Sequence, residues 1–388
     1  MKNKVLILLS AIALFSYSLS AQESNNFEIK FNISGVAHEG VYCTFFGERD
    51  NTGFNEKIEG GSGEFLFKGY VPAPTVVRVS FAGVDRFMKR AGRGILPVKS
   101  MGLWMIVYPG AKFIVEGDLN GKDFVDVYPK DGGENDIYAI LTGKIMPLTN
   151  EGANNYLKIK FDQSTSDNEK AILEKKNAEI DKEIAKAKRE FLDKYTSSLG
   201  ALWLMEDMLI RSEIPVLDLE PYMAKVDVAK YGDNYYYKAV KSRIDGAKAT
   251  AYGQICPSVI TNNTPDGSTF NIESLRGKYL IIDFWGTWCG PCVAGIPHMK
   301  AFRDKHRDKV ELLGISNDRD ITMWRNYLIK NNMDYPNILI GKGEEDFVSK
   351  FNVQGFPTKI LIDPNGKILY RESGESEEFY VKMEEMIK

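Results

Sequence analysis

Metal ligands are scarce in this sequence. Its 388 residues include 4 cysteines and 3 histidines, and a structural zinc site needs four ligands, usually supplied as two closely spaced pairs. One such pair is present, Cys289 and Cys292, and neither a second Cys-x-x-Cys nor a closely spaced pair of histidines accompanies it. The sequence therefore predicts no metal site, and thiol chemistry is the better interpretation of the Cys289/Cys292 pair.

A large excess of charge of either sign is also absent. The 50 basic and 53 acidic side chains leave a formal net charge of -3 at pH 7. Nucleic-acid binding requires a basic face, so no nucleic-acid partner is expected. Apolar residues make up 44% of the chain, which is ample for packed cores in two or three domains.

The apolar run near the amino terminus, residues 5–15, is too short to span a bilayer comfortably. It follows Lys2 and Lys4 and precedes the small-residue stretch 16–21. This order is typical of a secretory signal peptide. We therefore predict a signal peptide over residues 1–21 and an exported protein, soluble after cleavage and periplasmic in a Gram-negative source. An uncleaved membrane anchor is the alternative.

Residues 22–133 show the two-residue period of β-strands. Phe27, Ile29, Phe31 and Ile33 alternate with polar neighbours, and glycine- and proline-rich turns separate this run from further ones like it. The pattern predicts an antiparallel β domain, sandwich or barrel-like. Its aromatic residues are interpreted as core, and no chemistry is assigned to it.

Residues 134–250 change to the helical period. Apolar residues repeat on one face between positions 167 and 194, and residues 202–210 are apolar on most sides, as expected of a buried helix. This helical region is predicted to join the β domain to the C-terminal domain. The cluster at positions 235–237, three tyrosines, is interpreted as core or interdomain packing, with an exposed docking patch as the alternative.

One short stretch contains the reactive groups. The apolar run 281–285 ends in an aromatic turn that places Cys289 at the predicted start of a helix, with Cys292 one turn later. Two cysteines at this spacing can close a disulfide, and the helix dipole with its free backbone amides favours the thiolate of the leading sulfur. Cys289 is therefore predicted as the nucleophile and Cys292 as the resolving thiol of a redox-active disulfide.

The same stretch resembles the active-site signature of the thioredoxin superfamily, Asp-Phe-Trp-x-x-Trp-Cys-Gly-Pro-Cys, which begins here at Asp283. Pro297 lies where thioredoxin-like proteins kink the active-site helix, and Gly355-Phe356-Pro357-Thr358 resembles their cis-proline loop. Two features resemble the extracytoplasmic TlpA/ResA branch: the wide separation of that loop from the cysteines and the sequence motif Phe-Trp-Gly-Thr-Trp-Cys. The resemblance covers about residues 253–388.

This resemblance implies a multidomain protein whose C-terminal α/β thioredoxin-like catalytic domain, residues 251–388, follows the antiparallel β domain and the helical region. The β domain itself resembles one found ahead of thioredoxin domains in exported Bacteroidota proteins. The predicted C-terminal strands are residues 279–284, 310–316, 358–362 and 367–371. Helices are predicted after Pro291, Asp320 and Gly374, giving a mixed sheet with helices on both faces.

The resemblance also implies roles for residues around the cysteines. Asp283 takes the place of a buried carboxylate in that family. Desolvation would raise its pKa into the range in which it could act as a base toward Cys292. Pro357 is expected in a cis peptide bond beside the cysteine pair, with the backbone of Phe356 offered to a substrate chain. The other predicted substrate-binding residues are Trp288, Gly290 and Pro291.

One position departs from the TlpA/ResA pattern. Those proteins commonly have an acidic residue two positions before the helix proline, and this chain has Gly295 there. The carboxylate is thus expected on the strand, at Asp283, and not on the helix. In that branch the helical acid is associated with cytochrome c maturation. Its absence here weakens the prediction that apocytochrome c is the client of this protein.

The function predicted from these residues is thiol-disulfide exchange with protein substrates, without a cofactor. Gly290-Pro291 between the cysteines resembles the dipeptide of reducing thioredoxins, so a reductase is favoured. A membrane electron donor is expected to reduce it again. The alternatives are a dithiol oxidase, a disulfide isomerase, or a binding or chaperone module that uses the β domain. A peroxiredoxin-like peroxidase is disfavoured because it would use a lone peroxidatic cysteine. The oligomeric state is not predicted.

The two remaining cysteines lie far apart in the sequence. Cys256 is interpreted as a buried, unreactive thiol. A disulfide between Cys43 and Cys256, which would join the β domain to the catalytic domain, is the alternative.

Overall fold

The computed structural model describes residues 25–36, 41–46, 55–61, 63–81, 89–92, 94–341 and 345–387. The predicted signal peptide, residues 1–21, lies outside the described residues, as does the side chain of Cys43. No helix within these ranges is long and apolar enough to cross a membrane.

Alternating apolar residues form the first strands, because successive side chains on a strand point to opposite faces. In β1 (Phe27–Ser34), Phe27, Ile29, Phe31 and Ile33 are buried and their neighbours are more exposed. The other strands of this region are β2 (Val41–Phe46), β3 (Asn55–Gly61), β4 (Glu64–Gly69), β5 (Thr75–Phe81), β6 (Lys89–Ala91), β7 (Gly94–Leu96), β8 (Gly102–Val107) and β9 (Lys112–Asp118).

Seven of these strands form one sheet in the order β8-β5-β2-β3-β4-β1-β9, and β6 pairs with β7. Inward residues of its two end strands, such as Met105 of β8 and Val115 of β9, belong to one apolar cluster, so the sheet curls around a shared core. Its strand pairs are antiparallel except β1 with β9, which is parallel with Ile29 opposite Phe113. The parallel pair differs from the predicted antiparallel domain, because alternation within a strand does not specify the direction of a distant partner.

The helical region contains α1 (Glu134–Phe161), α2 (Asp167–Tyr195), α3 (Leu199–Ile210), α4 (Glu220–Met223), α5 (Val228–Tyr231) and α6 (Tyr235–Ala249). Helix α2 covers the segment whose apolar period predicted it, and it begins where the Ser166 side chain accepts a hydrogen bond from the Glu169 N–H. Helix α3 is buried along nearly its whole length, as predicted for residues 202–210.

This helical region packs directly on the β sheet. Strand β8 is buried on both faces, with Met105 in the core of the sheet and Trp104 in the core of the helices. Tyr236 of α6 is 1% exposed, and its hydroxyl accepts a hydrogen bond of 2.7 Å from the Val76 N–H of β5. The tyrosine cluster therefore serves interdomain packing, as predicted.

The C-terminal region contains β10 (Ile260–Thr261), β11 (Phe270–Asn271), β12 (Tyr279–Trp285), β13 (Val310–Ser316), β14 (Asn337–Leu339), β15 (Thr358–Ile362) and β16 (Ile368–Ser373). Its helices are α7 (Gly290–Lys305), α8 (Ile321–Lys330), α9 (Phe347–Lys350) and α10 (Glu377–Met386). The order of the larger sheet is β14-β13-β12-β15-β16. Strands β12, β13 and β14 pair in parallel, and β15 pairs antiparallel with both β12 and β16, so the sheet is mixed, as predicted.

Helices cover both faces of this sheet. The alternation of β12 places Ile281 and Trp285 in an apolar cluster with α7, α8 and α10, and it places Ile282 and Phe284 in a second cluster with α9. The short elements β14 and α9 were not predicted, because three or four residues show too little of a period to be recognised. The domain boundaries at residues 133 and 250 stay predictions.

Candidate active site

The strand β12 determines which groups meet the cysteines. Side chains alternate between the two faces of a strand, so Asp283 shares a face of β12 with Ile281 and Trp285. This is the face that α7 covers. Cys289 and Cys292 belong to the apolar cluster on that same face. The fold therefore brings the predicted base and the two cysteines to one side of the sheet.

The turn between β12 and α7 is held by Asp318. This buried carboxylate accepts hydrogen bonds from the Thr287 N–H at 3.0 Å and from the Thr287 hydroxyl at 2.5 Å. It also accepts one of 2.6 Å from the hydroxyl of Ser316, the last residue of β13. Asp318 was not predicted as a site residue, since it reaches the turn from the loop after β13 and no local motif marks it.

Cys289 is the residue that caps α7. Its sulfur accepts a hydrogen bond of 3.3 Å from the Cys292 N–H, and the two sulfurs form a disulfide. Cys289 and Cys292 are 5% and 2% exposed. A sulfur at this position can accept hydrogen bonds from free backbone amides and lies at the positive end of the helix dipole. Both interactions favour its thiolate when the disulfide is reduced.

A cis peptide bond joins Phe356 to Pro357, as predicted. Pro357 is buried, and its carbonyl accepts a hydrogen bond of 2.8 Å from the Gly374 N–H after β16. The hydroxyl of Thr358 donates to the Gly355 carbonyl at 2.7 Å, which closes the loop. Phe356 packs against the apolar cluster that contains both cysteines.

Two aromatic side chains, Trp288 and Phe356, lie beside the cysteine pair. Trp288 is 57% exposed, and its ring meets that of Phe356 edge to face with centroids 5.4 Å apart. The Trp288 indole N–H donates to the Asn317 carbonyl at 3.2 Å, which fixes the ring. Gly290 and Pro291 are also exposed, so the four predicted substrate-binding residues lie together around the disulfide.

Asp283 is buried, with 3% exposure, and no hydrogen-bond partner is found for its Oδ1 atom. Desolvation raises its pKa to about 7. Lys359, directly opposite on β15, opposes that rise from 4.0 Å, and Glu375 adds to it. A carboxyl in this range can exchange a proton at neutral pH.

Two charged residues near Asp283 were not predicted. Lys359 is 2% exposed and forms an ion pair with Glu375, which follows β16. The Glu375 carboxylate also lies against Gly295, where an added Cβ would come within 2.2 Å of Oε2. The sequence places Lys359 next to the cis-proline loop, but only the strand pairing shows that it faces Asp283.

Cys256 is free and buried, and burial raises the pKa of its thiol to about 12. The interpretation of an unreactive thiol agrees with this environment. In the part of the chain that is described, no group of three or more His, Cys, Asp or Glu side chains could hold a metal ion.

Comparison with known proteins places the similarity in the C-terminal region. A family model described as thioredoxin-like matches residues 277–368. The thiol-disulfide oxidoreductase ResA of Bacillus thuringiensis strain Al Hakam is 29% identical over 124 residues, 32% of this chain and 70% of that protein. The sporulation thiol-disulfide oxidoreductase A of Bacillus subtilis is 27% identical over 116 residues, 29% of this chain and 68% of that protein. These relatives confirm the predicted resemblance to the ResA branch.

Among solved structures, the thioredoxin domain of a thiol-disulfide oxidoreductase from Bacteroides vulgatus is 25% identical, with a TM-score of 0.33, over 36% of this chain and 99% of that one. The resemblance of residues 22–133 to a Bacteroidota β domain stays a prediction. The C-terminal part of this chain is a thioredoxin-like oxidoreductase domain related to ResA, and a β-rich region and a helical region precede it.

Proposed function

We propose that this chain is an exported thiol-disulfide oxidoreductase that reduces disulfides in protein substrates through Cys289 and Cys292. The observation that carries the proposal is the Cys289–Cys292 disulfide at the start of α7, beside the exposed Trp288 ring and the half-buried Phe356 ring that it contacts. The relatives named thiol-disulfide oxidoreductases support the reaction class.

The reaction proceeds by two exchanges. The Cys289 thiolate attacks one sulfur of the substrate disulfide, that S–S bond breaks, and the released substrate sulfur takes a proton. Cys292 then attacks the Cys289 sulfur and releases the second substrate thiol. The substrate gains two electrons and two protons, and the enzyme is left as the disulfide. A dithiol donor, proposed to be a membrane protein, must reduce it again.

The second exchange requires the Cys292 proton to leave. Asp283 is the proposed acceptor, because it lies on the same face of the sheet as Cys292 and its Oδ1 atom has no hydrogen-bond partner. A pKa of about 7 allows the carboxylate to accept that proton and to release it to solvent at neutral pH.

Substrate chains are proposed to lie across Phe356 and Trp288. A half-exposed indole beside an apolar loop offers area for an unfolded or extended segment, and Gly290 and Pro291 leave the approach to Cys289 open. The backbone of Phe356, held by the cis bond to Pro357, can pair with an extended substrate in strand-like fashion. This surface suits many protein disulfides.

The direction of electron flow follows from the reduction potential of the pair. The full mature chain would be equilibrated in glutathione or dithiothreitol buffers, with Cys292→Ser as the control that cannot close the disulfide. A potential below about -220 mV supports a reductase, and one above about -150 mV means that the protein is an oxidant. A reduction potential between these two values favours an isomerase if the protein also refolds a substrate whose disulfides have been scrambled.

Activity and export have their own tests. Reduced mature protein should reduce the disulfides of insulin, and the Cys289→Ser variant should lose this activity entirely. Cys292→Ser should instead accumulate a mixed disulfide with the substrate, visible by mass spectrometry. Export predicts that the full-length chain made in a Gram-negative host is recovered from the periplasm with its first 20 or 21 residues removed.

A further inference from the structure

Glu375 reaches the active-site helix from a distant part of the chain. It lies in the segment between β16 and α10, and its side chain is 22% exposed. Its carboxylate occupies the space beside Gly295, where any Cβ would come within 2.6 Å of both carboxylate oxygens. Gly295 lies three residues after Cys292, on the same face of α7. The helix therefore admits this carboxylate only because residue 295 has no side chain.

Lys359 connects Glu375 to Asp283. A lysine that is 2% exposed requires charged partners, because an isolated ammonium is costly to bury. The Lys359 ammonium is bound to Glu375 and stays 4.0 Å from Asp283 Oδ1, beyond hydrogen-bond distance. Asp283 is left without a hydrogen bond at that atom although the lysine faces it across the strand pair.

The remaining polar groups around the cluster are two phenols and the carboxylate of Glu372, which lies opposite Lys359 on β16 and interacts electrostatically with its ammonium. Tyr380 of α10 donates a hydrogen bond of 3.1 Å to Glu375 Oε1, and Tyr335, just before β14, interacts electrostatically with Asp283. Lys359 and Glu375 are the charged groups that act on Asp283. Asp283 and Glu375 thus share the Lys359 ammonium, and these three groups together are neutral when one of the two carboxyls carries a proton.

We propose that Glu375 is a positioning residue for proton transfer at Cys292: it holds the Lys359 ammonium away from Asp283, so that Asp283 Oδ1 remains free to accept the Cys292 proton. The inference rests on the proposed exchange reaction and deepens it. Without Glu375, the ammonium would move to Asp283, occupy its free oxygen and stabilise its anion. Asp283 would then be a weaker base.

Two substitutions at the cluster give opposite expectations. Glu375→Gln replaces the competing carboxylate by a neutral amide, which holds the ammonium less strongly, so the pH at which Asp283 titrates should fall by about one unit or more. Lys359→Met removes the cation and should raise that pH. Merely structural roles would not move the two midpoints in opposite directions. Glu378→Gln, an exposed neighbour paired with Lys382, is the matched control and should leave the midpoint unchanged.

The experiment measures resolution of a preformed mixed disulfide between Cys289 and a peptide thiol, by single turnover from pH 5 to 9. Glu375→Gln should shift the midpoint down and slow resolution at pH 8 at least about tenfold, as expected for a weaker base. Gly295→Ala, which displaces the carboxylate without changing its charge, should change the profile in the same direction. An unchanged midpoint in Glu375→Gln overturns the proposal.

A second measurement separates this proposal from the proposed function. NMR titration of the Asp283 carboxyl in the oxidised full chain reports the same shifts without any turnover. If wild type fails to resolve mixed disulfides, the proposed function is wrong. If wild type resolves them and neither Glu375→Gln nor Lys359→Met moves the Asp283 titration, only the role of Glu375 is overturned. A variant that does not fold is replaced by Gly295→Ala in both measurements.

Discussion

Gly246 of α6 lies directly against Ser349 of α9, and a Cβ at Gly246 would come within 2.3 Å of the Ser349 carbonyl oxygen. The helical region and the thioredoxin-like domain thus meet backbone to backbone at this point. A hydrogen bond of 2.7 Å from the Arg243 guanidinium to the Val353 carbonyl lies beside the same contact. The domains are therefore fitted to each other and not merely joined in sequence.

This contact predicts that Gly246→Ala destabilises the protein. The neighbouring atoms are backbone, so α6 and α9 must separate, which costs about 1–3 kcal/mol and outweighs the roughly 1 kcal/mol gained in helix propensity. Gly143→Ala in α1 is the matched control, because its Cβ would meet only the Tyr128 ring at 3.9 Å and should be neutral or stabilising. Urea unfolding of both variants measures the difference. Equal stability of the two would contradict the prediction.

Gly286→Ala should reduce substrate binding with little effect on the fold. Gly286 does not have a positive φ, so alanine fits its backbone, but the new Cβ would come within 2.6 Å of the Trp288 indole nitrogen. The ring must move and lose its hydrogen bond to the Asn317 carbonyl. We expect a rise in KM of several fold, equivalent to about 1 kcal/mol, as for Trp288→Ala. An unchanged KM in both variants would show that Trp288 does not contact substrates.

Asp318→Ala should loosen the turn that presents Cys289. The substitution leaves the Thr287 N–H and two hydroxyls without their acceptor, at a cost of about 2–4 kcal/mol. We expect lower stability in urea and slower reduction of insulin, while the exposed Asp308→Ala control stays like wild type. Loss of stability without loss of activity would mean that the turn keeps its shape through other contacts.

Asp283→Asn should alter how stability depends on pH. The pKa of Asp283 is about 7 in the folded protein and about 3.9 in an unfolded chain, so the folded state binds more protons between these values. Wild-type stability therefore falls as pH rises from about 4 to about 7, and the penalty is constant above that range.

The asparagine variant lacks this loss. Its free energy of unfolding relative to wild type should rise by a few kcal/mol between pH 4 and pH 8, since each pKa unit corresponds to about 1.4 kcal/mol. Urea unfolding of the oxidised proteins at several pH values gives this difference. A difference independent of pH would mean that Asp283 titrates near its ordinary value.

Local pattern was sufficient for much of the fold. The strands predicted at 310–316 and 358–362 agree with β13 and β15, and the helical period seen between positions 167 and 194 lies within α2. Each is a run long enough to show its own period, so its neighbours in sequence determine it. Strand β14 and helix α9 are too short for that, and the contacts around them determine their form.

For the candidate site, the sequence alone determined the residues that have a local signal. These are two cysteines one helical turn apart, a carboxyl inside an apolar strand, and the proline of the Gly-Phe-Pro-Thr loop. The sequence did not contain the distances between segments. Lys359 faces Asp283 through strand pairing, Glu375 reaches Gly295 across the domain, and Asp318 binds Thr287 from the loop after β13. Only tertiary structure decides such contacts, because burial and charge act between groups that meet in space, however far apart they lie along the chain.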